Sequence, residues 1–121
     1  MEQIKNSELE QIIKVVNNYA EGCKKGDISM IRKAFDSGAV MYGYLNGQLY
    51  NGSIESLYAA AEALGADEHT LTHIDILNVE GSVATARVTL ENWHELAFTD
   101  YHSLLKINDE WKIVAKVFHQ F

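Results

Sequence analysis

Apolar residues in the first part of the chain recur with the period of an α-helix. From Leu9 to Cys23 they stand three or four positions apart, which predicts one amphipathic helix with a single buried stripe. Ser7 and Glu10 fit a capping box at its start, in which each side chain bonds a free amide of the first turn. Gly26 tolerates the left-handed conformation, so we expect the helix to end just before it.

Two shorter helices are predicted in the same half of the chain. Asp27 suits the N-cap of a helix that runs through Phe35, because its carboxylate can accept bonds from first-turn amides. Ser53 suits the same role before a third helix over residues 54–64, and Gly65 is expected to end that helix.

The remaining segments are typical of β-structure. Residues 39–44 alternate between apolar and polar, and Asn46-Gly47 predicts a tight hairpin to a partner strand at residues 48–50. We therefore predict an α+β domain, with three N-terminal helices packed on one face of a strongly curved antiparallel sheet. Four further apolar segments with short polar turns complete that sheet as a meander: residues 71–79, 83–92, 98–107 and 111–120.

Composition and charge narrow the functional classes. The 121 residues are enough for one domain with one core, taken here as residues 1–121. The net charge of −7 repels phosphate backbones and anionic lipids, so we expect neither nucleic acid nor a membrane as partner. The polar N-terminal segment does not resemble a secretory signal. A single cysteine, Cys23, is compatible with a reducing compartment, and we expect a cytoplasmic protein.

Three segments resemble a known superfamily: YAEGCKKGDISMIRKAF near the start, VEGSVATARV in the middle and DEWKIVAKVFH at the end. Together with the predicted element order, they resemble the nuclear-transport-factor-2-like superfamily, also called cystatin-like or SnoaL-like. Its branch named for lumazine binding, made of small bacterial proteins, is most similar over FTDYHSLLKINDEWKIVAKVFH. The resemblance implies a conical fold with sheet-to-sheet homodimers. The fold hosts isomerases, dehydratases, epoxide hydrolases and binding proteins, so it does not identify the activity.

The chain also departs from the superfamily pattern. Asn108-Asp109 stands in the last turn where members usually have Asp-Gly, and Asp36-Ser37 stands where many have His-Pro. The catalytic Asp and Tyr of the ketosteroid isomerases do not align onto single residues of this chain, so no catalytic residue is transferred from the family.

The facing of side chains in the last hairpin depends on its turn. A strict two-residue turn pairs Ile107 with Glu110 and puts Asp100 and His102 on the inner face, whereas a bulged turn puts Tyr101 there. Hydrophobic patterning favours the bulged turn, because three lysines then share the solvent face. In that register the inner face carries Tyr101, Trp111, Ile113, Ala115, Val117 and His119, and the solvent face carries Lys106, Lys112 and Lys116.

Several polar residues are candidates for chemistry. None of the five histidines lies on a predicted helix, where a three- or four-residue spacing could bring two of them to one metal ion, so we expect neither a metal nor another cofactor. Asp100 and His102 share one face of a strand, and a carboxylate beside an imidazole is an acid–base unit. In the bulged register this pair faces solvent or a dimer partner. His119 could bond a ligand or act as a base near neutral pH, or it could simply cap the open end of the core.

The ends of neighbouring strands predict the mouth of a cavity. Antiparallel pairing brings the segment after residue 92 close to the C-terminus, and both carry aromatic and histidine side chains. Aromatic rings with polar tips suit a planar, amphipathic small molecule. The predicted ligand-binding residues are Tyr42, Trp93, His94, Tyr101 and His119.

Two functions remain open at this point. One is a non-catalytic small-molecule binding protein, which the absence of a clear inward carboxylate favours. The other is a lyase, isomerase or hydrolase type of enzyme acting on a cyclic substrate by acid–base catalysis, with His119, Tyr101 or Asp100 transferring the proton. An enclosed cavity with an inward Asp or Glu beside a His or Tyr would favour the enzyme.

Overall fold

The computed structural model describes residues 5–121, and these residues contain three helices and six strands. The predicted α+β class and element order are confirmed. No helix in this part of the chain is long and apolar enough to cross a membrane. The helices are α1 (Asn6–Lys25), α2 (Ile28–Ala34) and α3 (Glu55–Leu64), and the strands are β1 (Phe35–Leu45), β2 (Gln48–Ser53), β3 (Leu71–Glu80), β4 (Val83–Trp93), β5 (Leu96–Ile107) and β6 (Glu110–Gln120).

The start of α1 is fixed by the sheet and not by a side-chain cap. No side-chain cap hydrogen bond forms there, so the predicted capping box of Ser7 and Glu10 is wrong. The neighbouring Glu8 reaches the sheet instead, where its carboxylate pairs with Lys106 and accepts a 2.6 Å hydrogen bond from Trp111 Nε1. The hydrogen bond from Lys106 is the largest cause of a lowered pKa at Glu8, and the hydrogen bond from Trp111 is the second largest.

The corner between α1 and α2 forms as predicted. Gly26 adopts a left-handed conformation with φ 65°, and Asp27 Oδ1 accepts a 3.1 Å hydrogen bond from the Met30 amide. The second helix stops at Ala34, one residue earlier than predicted. Phe35 is already extended (φ −107°, ψ 143°) and begins β1.

The six strands form one sheet in the order β2-β1-β6-β5-β4-β3. All neighbours are antiparallel except β1 and β6, which pair in parallel and join the first hairpin to the meander. Asn46-Gly47 and Asn108-Asp109 form the turns of the two hairpins at β1–β2 and β5–β6. All four residues have positive φ, as two-residue hairpin turns require.

The core lies between the helices and one face of the sheet, which we call the inner face. The opposite side is called the outer face. Helix α1 lies against β3, β4 and β6. Two of the inner side chains of β4 are alanines, and their small size leaves space for the larger residues of α1. The inner residues of β4 are all buried: Ala84, Ala86, Val88 and Leu90. A bulge interrupts β3 between Ile76 and Asn78.

Candidate functional site

A cavity of about 230 Å³ lies between the inner face of the sheet and α3. Leu57 and Leu64 of α3 form one wall, and Trp93, Phe98 and Phe118 of the sheet form the other. An apolar cavity of about 150 Å³ can hold benzene, so this one has room for a single substituted ring. Four polar side chains also line it: Tyr19, Asn46, Tyr50 and Lys116.

Tyr19 and Asp100 form a buried hydrogen-bonded pair at the cavity. Tyr19 lines the cavity and its hydroxyl donates to Asp100 Oδ2, while Asp100 is not among the lining residues. Both side chains are buried, and Asp100 Oδ1 has no hydrogen-bond partner among the described residues. Burial raises the pKa of Asp100, although Lys116 and the Tyr19 bond oppose the increase. Burial, followed by the charge of Asp100, raises the pKa of Tyr19 well above its usual value.

Lys116 brings an amino group to the same wall. Its side chain is only 5% exposed, and its Nζ lies 3.8 Å from Met41 Sδ. The centroids of the Tyr19 and Phe118 rings are 5.1 Å and 4.9 Å away. A thioether and the faces of aromatic rings are weak acceptors, and the salt bridges within residues 5–121 do not include Lys116. This nitrogen can therefore take an oxygen acceptor from a molecule in the cavity.

Two neutral groups surround this polar cluster. The ring of His102 lies 4.9 Å from the Tyr19 ring and 5.9 Å from the Phe35 ring, and neither of its nitrogens has a partner in residues 5–121. Burial, followed by the nearby charge of Lys116, lowers the pKa of His102 to about 3. Burial raises the pKa of Cys23 to about 12. At neutral pH the imidazole and the thiol are both uncharged.

The buried His102 predicts a loss of stability in acid. Its pKa is about 3 in the folded chain and 6.5 when unperturbed, so the unfolded chain binds more protons below pH 6.5. The free energy of unfolding therefore falls between pH 6.5 and pH 3, by about 2–3 kcal/mol at pH 4.5 from this residue alone. Urea unfolding at pH 7 and pH 4.5 measures the loss.

A His102→Phe variant is the matched control, since a phenyl ring fits between the same two aromatic neighbours and does not titrate. The acidic residues contribute equally in both proteins, so the difference between them isolates the imidazole. If wild type and variant lose the same free energy of unfolding, His102 does not titrate as described.

The five predicted binding residues are not all at the cavity. Trp93 lines it. His94 stands next in the chain, in the β4–β5 turn, and its ring Nε2 lies 2.8 Å from the carbonyl oxygen of Gly65. Three others lie on the outer face of the sheet, with exposures of 47% for Tyr42 and 49% for Tyr101 and with His119 also exposed.

The expected inward facing of Tyr101 and His119 is wrong because the last hairpin has the strict turn. Ile107 pairs with Glu110, so Asp100 and His102 face the core. The bulge lies inside β6, where Ser103 pairs with Ala115 but Leu104 pairs with Ile113. Val114 is the extra residue, and it reverses the facing of the following positions. The inner residues of β6 are therefore Trp111, Ile113, Lys116 and Phe118.

The sequence patterns missed Tyr19 and Lys116 as site residues. Tyr19 belongs to the apolar stripe of α1 and looks like an ordinary core residue. Lys116 looked like one of three solvent lysines. One signal for Asp100 was available, because Phe98 and Leu104 share its parity on β5 and both are buried.

Comparisons with known proteins agree with this architecture. The family described as "Putative lumazine-binding" matches residues 7–119. Aldolase FrzH from a Cladobotryum species is 28% identical over 119 residues, which are 98% of this chain and 95% of that protein.

Two solved structures of NTF2-like proteins of unknown function are similar over almost their whole length. The one from Methylobacillus flagellatus KT has a TM-score of 0.93 and 32% identity, and covers 98% of this chain and 96% of its own. The one from Shewanella baltica OS155 has a TM-score of 0.91 and 28% identity, with coverage of 99% and 98%. The chain therefore belongs to the "Putative lumazine-binding" family, within the nuclear-transport-factor-2-like superfamily.

Proposed function

We propose that this chain is a small lyase of the aldolase type, acting by acid–base catalysis on a carbonyl compound held in the cavity. The observation that carries the proposal is the meeting of Tyr19 and Lys116 at one cavity, with the buried Asp100 hydrogen-bonded to Tyr19. It is the inward carboxylate beside a tyrosine that would favour an enzyme over a binding protein.

The cavity supplies the conditions that enolate chemistry needs. In an apolar site a developing negative charge on a carbonyl oxygen is stabilised strongly by a nearby ammonium or hydroxyl group. Lys116 and Tyr19 both line the cavity, and Lys116 Nζ lies 5.1 Å from the centroid of the Tyr19 ring. Lys116 Nζ has only weak acceptors in the protein, so it is free to bond that oxygen.

The ionisation state of Asp100 decides whether the Tyr19 hydroxyl donates to Asp100 or to the ligand. When Asp100 is ionised, Tyr19 donates to it. When Asp100 is protonated, the carboxyl group can donate to the Tyr19 oxygen, and the phenolic hydrogen then points to the ligand. Since burial raises the pKa of Asp100, both forms are accessible closer to neutral pH than for an exposed aspartate. The pair is suited to give and take one proton at the substrate.

The relative named aldolase FrzH supports the same class of reaction. It is similar over nearly its full length, and aldol chemistry requires an enolate or its equivalent. The cavity volume of about 230 Å³ favours a substrate with one ring, in agreement with a cyclic carbonyl compound.

The proposal predicts that the protein exchanges the α-protons of a cyclic ketone. Cyclohexanone incubated in D₂O with the wild-type protein is expected to lose its α-proton NMR signal faster than in buffer alone, because the enolate takes deuterium from solvent. A β-hydroxy ketone added in the same way is expected to be cleaved. Rates equal to those in buffer for a panel of cyclic ketones would contradict the enzyme proposal.

Non-catalytic binding of a planar ligand is the second candidate function. The family description favours it, and so do the aromatic walls formed by Trp93, Phe98 and Phe118. Lumazine is the probe, and thermal unfolding is the readout. Stabilisation by lumazine together with no ketone exchange would favour binding over catalysis.

We also propose that the chain works as a homodimer joined by the outer face of the sheet. Tyr42 and Tyr101 both pair with Val117, so three large side chains form a row across β1, β6 and β5. Each is close to half exposed, and contiguous apolar surface of this kind is typical of an interface. Leu104 is buried in the core and does not contribute to this face.

A Val117→Lys variant is expected to separate the dimer, because it places two like charges in the centre of the row. Light scattering should give twice 13.6 kDa for wild type and 13.6 kDa for the variant. Thr85→Lys, on the outer face of β4, is the matched control and should stay dimeric. A wild-type mass of 13.6 kDa at micromolar concentration would remove the proposal.

A further inference from the structure

Lys116 differs from the other lysines of residues 5–121 in its surroundings. It is the one lysine there that is buried, and it lines the cavity. The nitrogen contacts a thioether and two aromatic rings. Lys112, which is also on β6, shows the contrast: its Nζ donates to the carbonyl oxygen of Lys33 at 3.2 Å, and the residue is less buried.

We infer that Lys116 is a covalent catalyst, whose amine attacks the carbonyl carbon of a ketone or aldehyde in the cavity and forms an imine. This inference rests on the proposed function, and it adds the chemical step and a substrate class with an unhindered carbonyl group. Lysines that act in this way stand in desolvated pockets, where the neutral amine is favoured over the ammonium.

The neighbours of Lys116 provide a place for the proton that the amine must lose. Asp100 is buried in the same cluster, and the spare oxygen Oδ1 has no partner among the described residues. Transfer of one proton from Lys116 to Asp100 removes two buried charges at once, which offsets the cost of separating a proton from the ammonium. The other titratable groups around them are Tyr19, Cys23 and His102, and all three are uncharged at neutral pH.

The step balances with the groups that are present. The nitrogen lone pair forms the C–N bond while the carbonyl π electrons move to oxygen, and that oxygen takes a proton from the Tyr19–Asp100 pair. The nitrogen then returns a proton to the pair, which gives a neutral carbinolamine. A second protonation of the hydroxyl releases water and leaves the protonated imine. Loss of an α-proton to Asp100 through Tyr19 gives an enamine, the carbon nucleophile of an aldol addition.

A 1,3-diketone tests the inference without a reductant. Acetylacetone that condenses with an amine loses one water and forms a conjugated enaminone, which absorbs in the near ultraviolet and raises the protein mass by the diketone less water. We expect one adduct per chain in wild type, with peptide mapping that places it on Lys116. Lys116→Met should form at least about tenfold less adduct, while the control Lys112→Met should react like wild type.

An adduct mapped to another lysine, or none at all under conditions where the protein still exchanges ketone α-protons, would overturn the inference while the proposed function stands. Absence of both adduct and exchange would overturn both. The mapping uses the wild-type protein, so the result holds even if Lys116→Met fails to fold.

Discussion

Replacement of Lys116 by Met is expected to lower the rate of ketone α-proton exchange by at least about a hundredfold, the usual effect of removing one group that stabilises a developing oxyanion. Methionine keeps the length and the apolar stem of the side chain but removes the amino group beside the rings of Tyr19 and Phe118. The variant is expected to fold, since an apolar residue of similar volume in place of a buried charge is often neutral or stabilising.

Lys112→Met is the control for this experiment as well. It removes a lysine from the same strand without touching the cavity, and it should leave the exchange rate unchanged. A folded Lys116→Met protein that exchanges α-protons at the wild-type rate would show that the amino group has no part in the chemistry.

The second large effect is expected at the buried pair. Tyr19→Phe and Asp100→Asn should each lower the exchange rate by about 10²–10⁴-fold, the usual range for a lost acid–base group. Because the two residues pass one proton between them, the double variant should be little slower than either single variant. Exchange rates measured for the three variants at one pH give this comparison.

Tyr101→Phe is the matched control for the tyrosine, since it removes the same hydroxyl group from the outer face of the sheet. It should exchange α-protons like wild type. Single losses that multiply in the double variant would show that Tyr19 and Asp100 act independently, and an unchanged rate in Asp100→Asn would remove the aspartate from the mechanism.

Local patterns were enough to predict the fold. Helical spacing in α1, the Asn46-Gly47 turn and the alternation along β4 each depend on residues close together in sequence, and each has a direct physical cause. The capping box failed for the opposite reason. Glu8 bonds Lys106 and Trp111, which are about a hundred positions away, and no local rule includes such partners.

The candidate site was harder to predict because it depends on one extra residue. Val114 is a bulge in the middle of β6, and it lets Trp111 and Lys116 share the inner face although they are five positions apart. Any strict alternation along β6 must place one of them outside. The sequence offers no glycine or proline at this point to mark the bulge.

Hydrophobic patterning also works against the residues that carry chemistry. It assigns charged side chains to solvent, whereas Asp100 and Lys116 are both buried here. Buried polar groups of this kind oppose the pattern that directs folding, and such exceptions are expected at functional sites. Asp100 was a candidate base from the sequence, but its partners Tyr19 and Lys116 were found only through the fold.

The central claim is that a ligand carbonyl binds between Lys116 and Tyr19, and NMR of a cyclic ketone labelled with ¹³C at its carbonyl tests it most directly. In wild type and in Tyr101→Phe, the carbonyl resonance is expected to move on binding, because hydrogen bonds or imine formation change the electron density at that carbon. In Lys116→Met and Tyr19→Phe the change should be much smaller. A resonance that does not move in wild type, or that moves equally in all four proteins, would contradict the account.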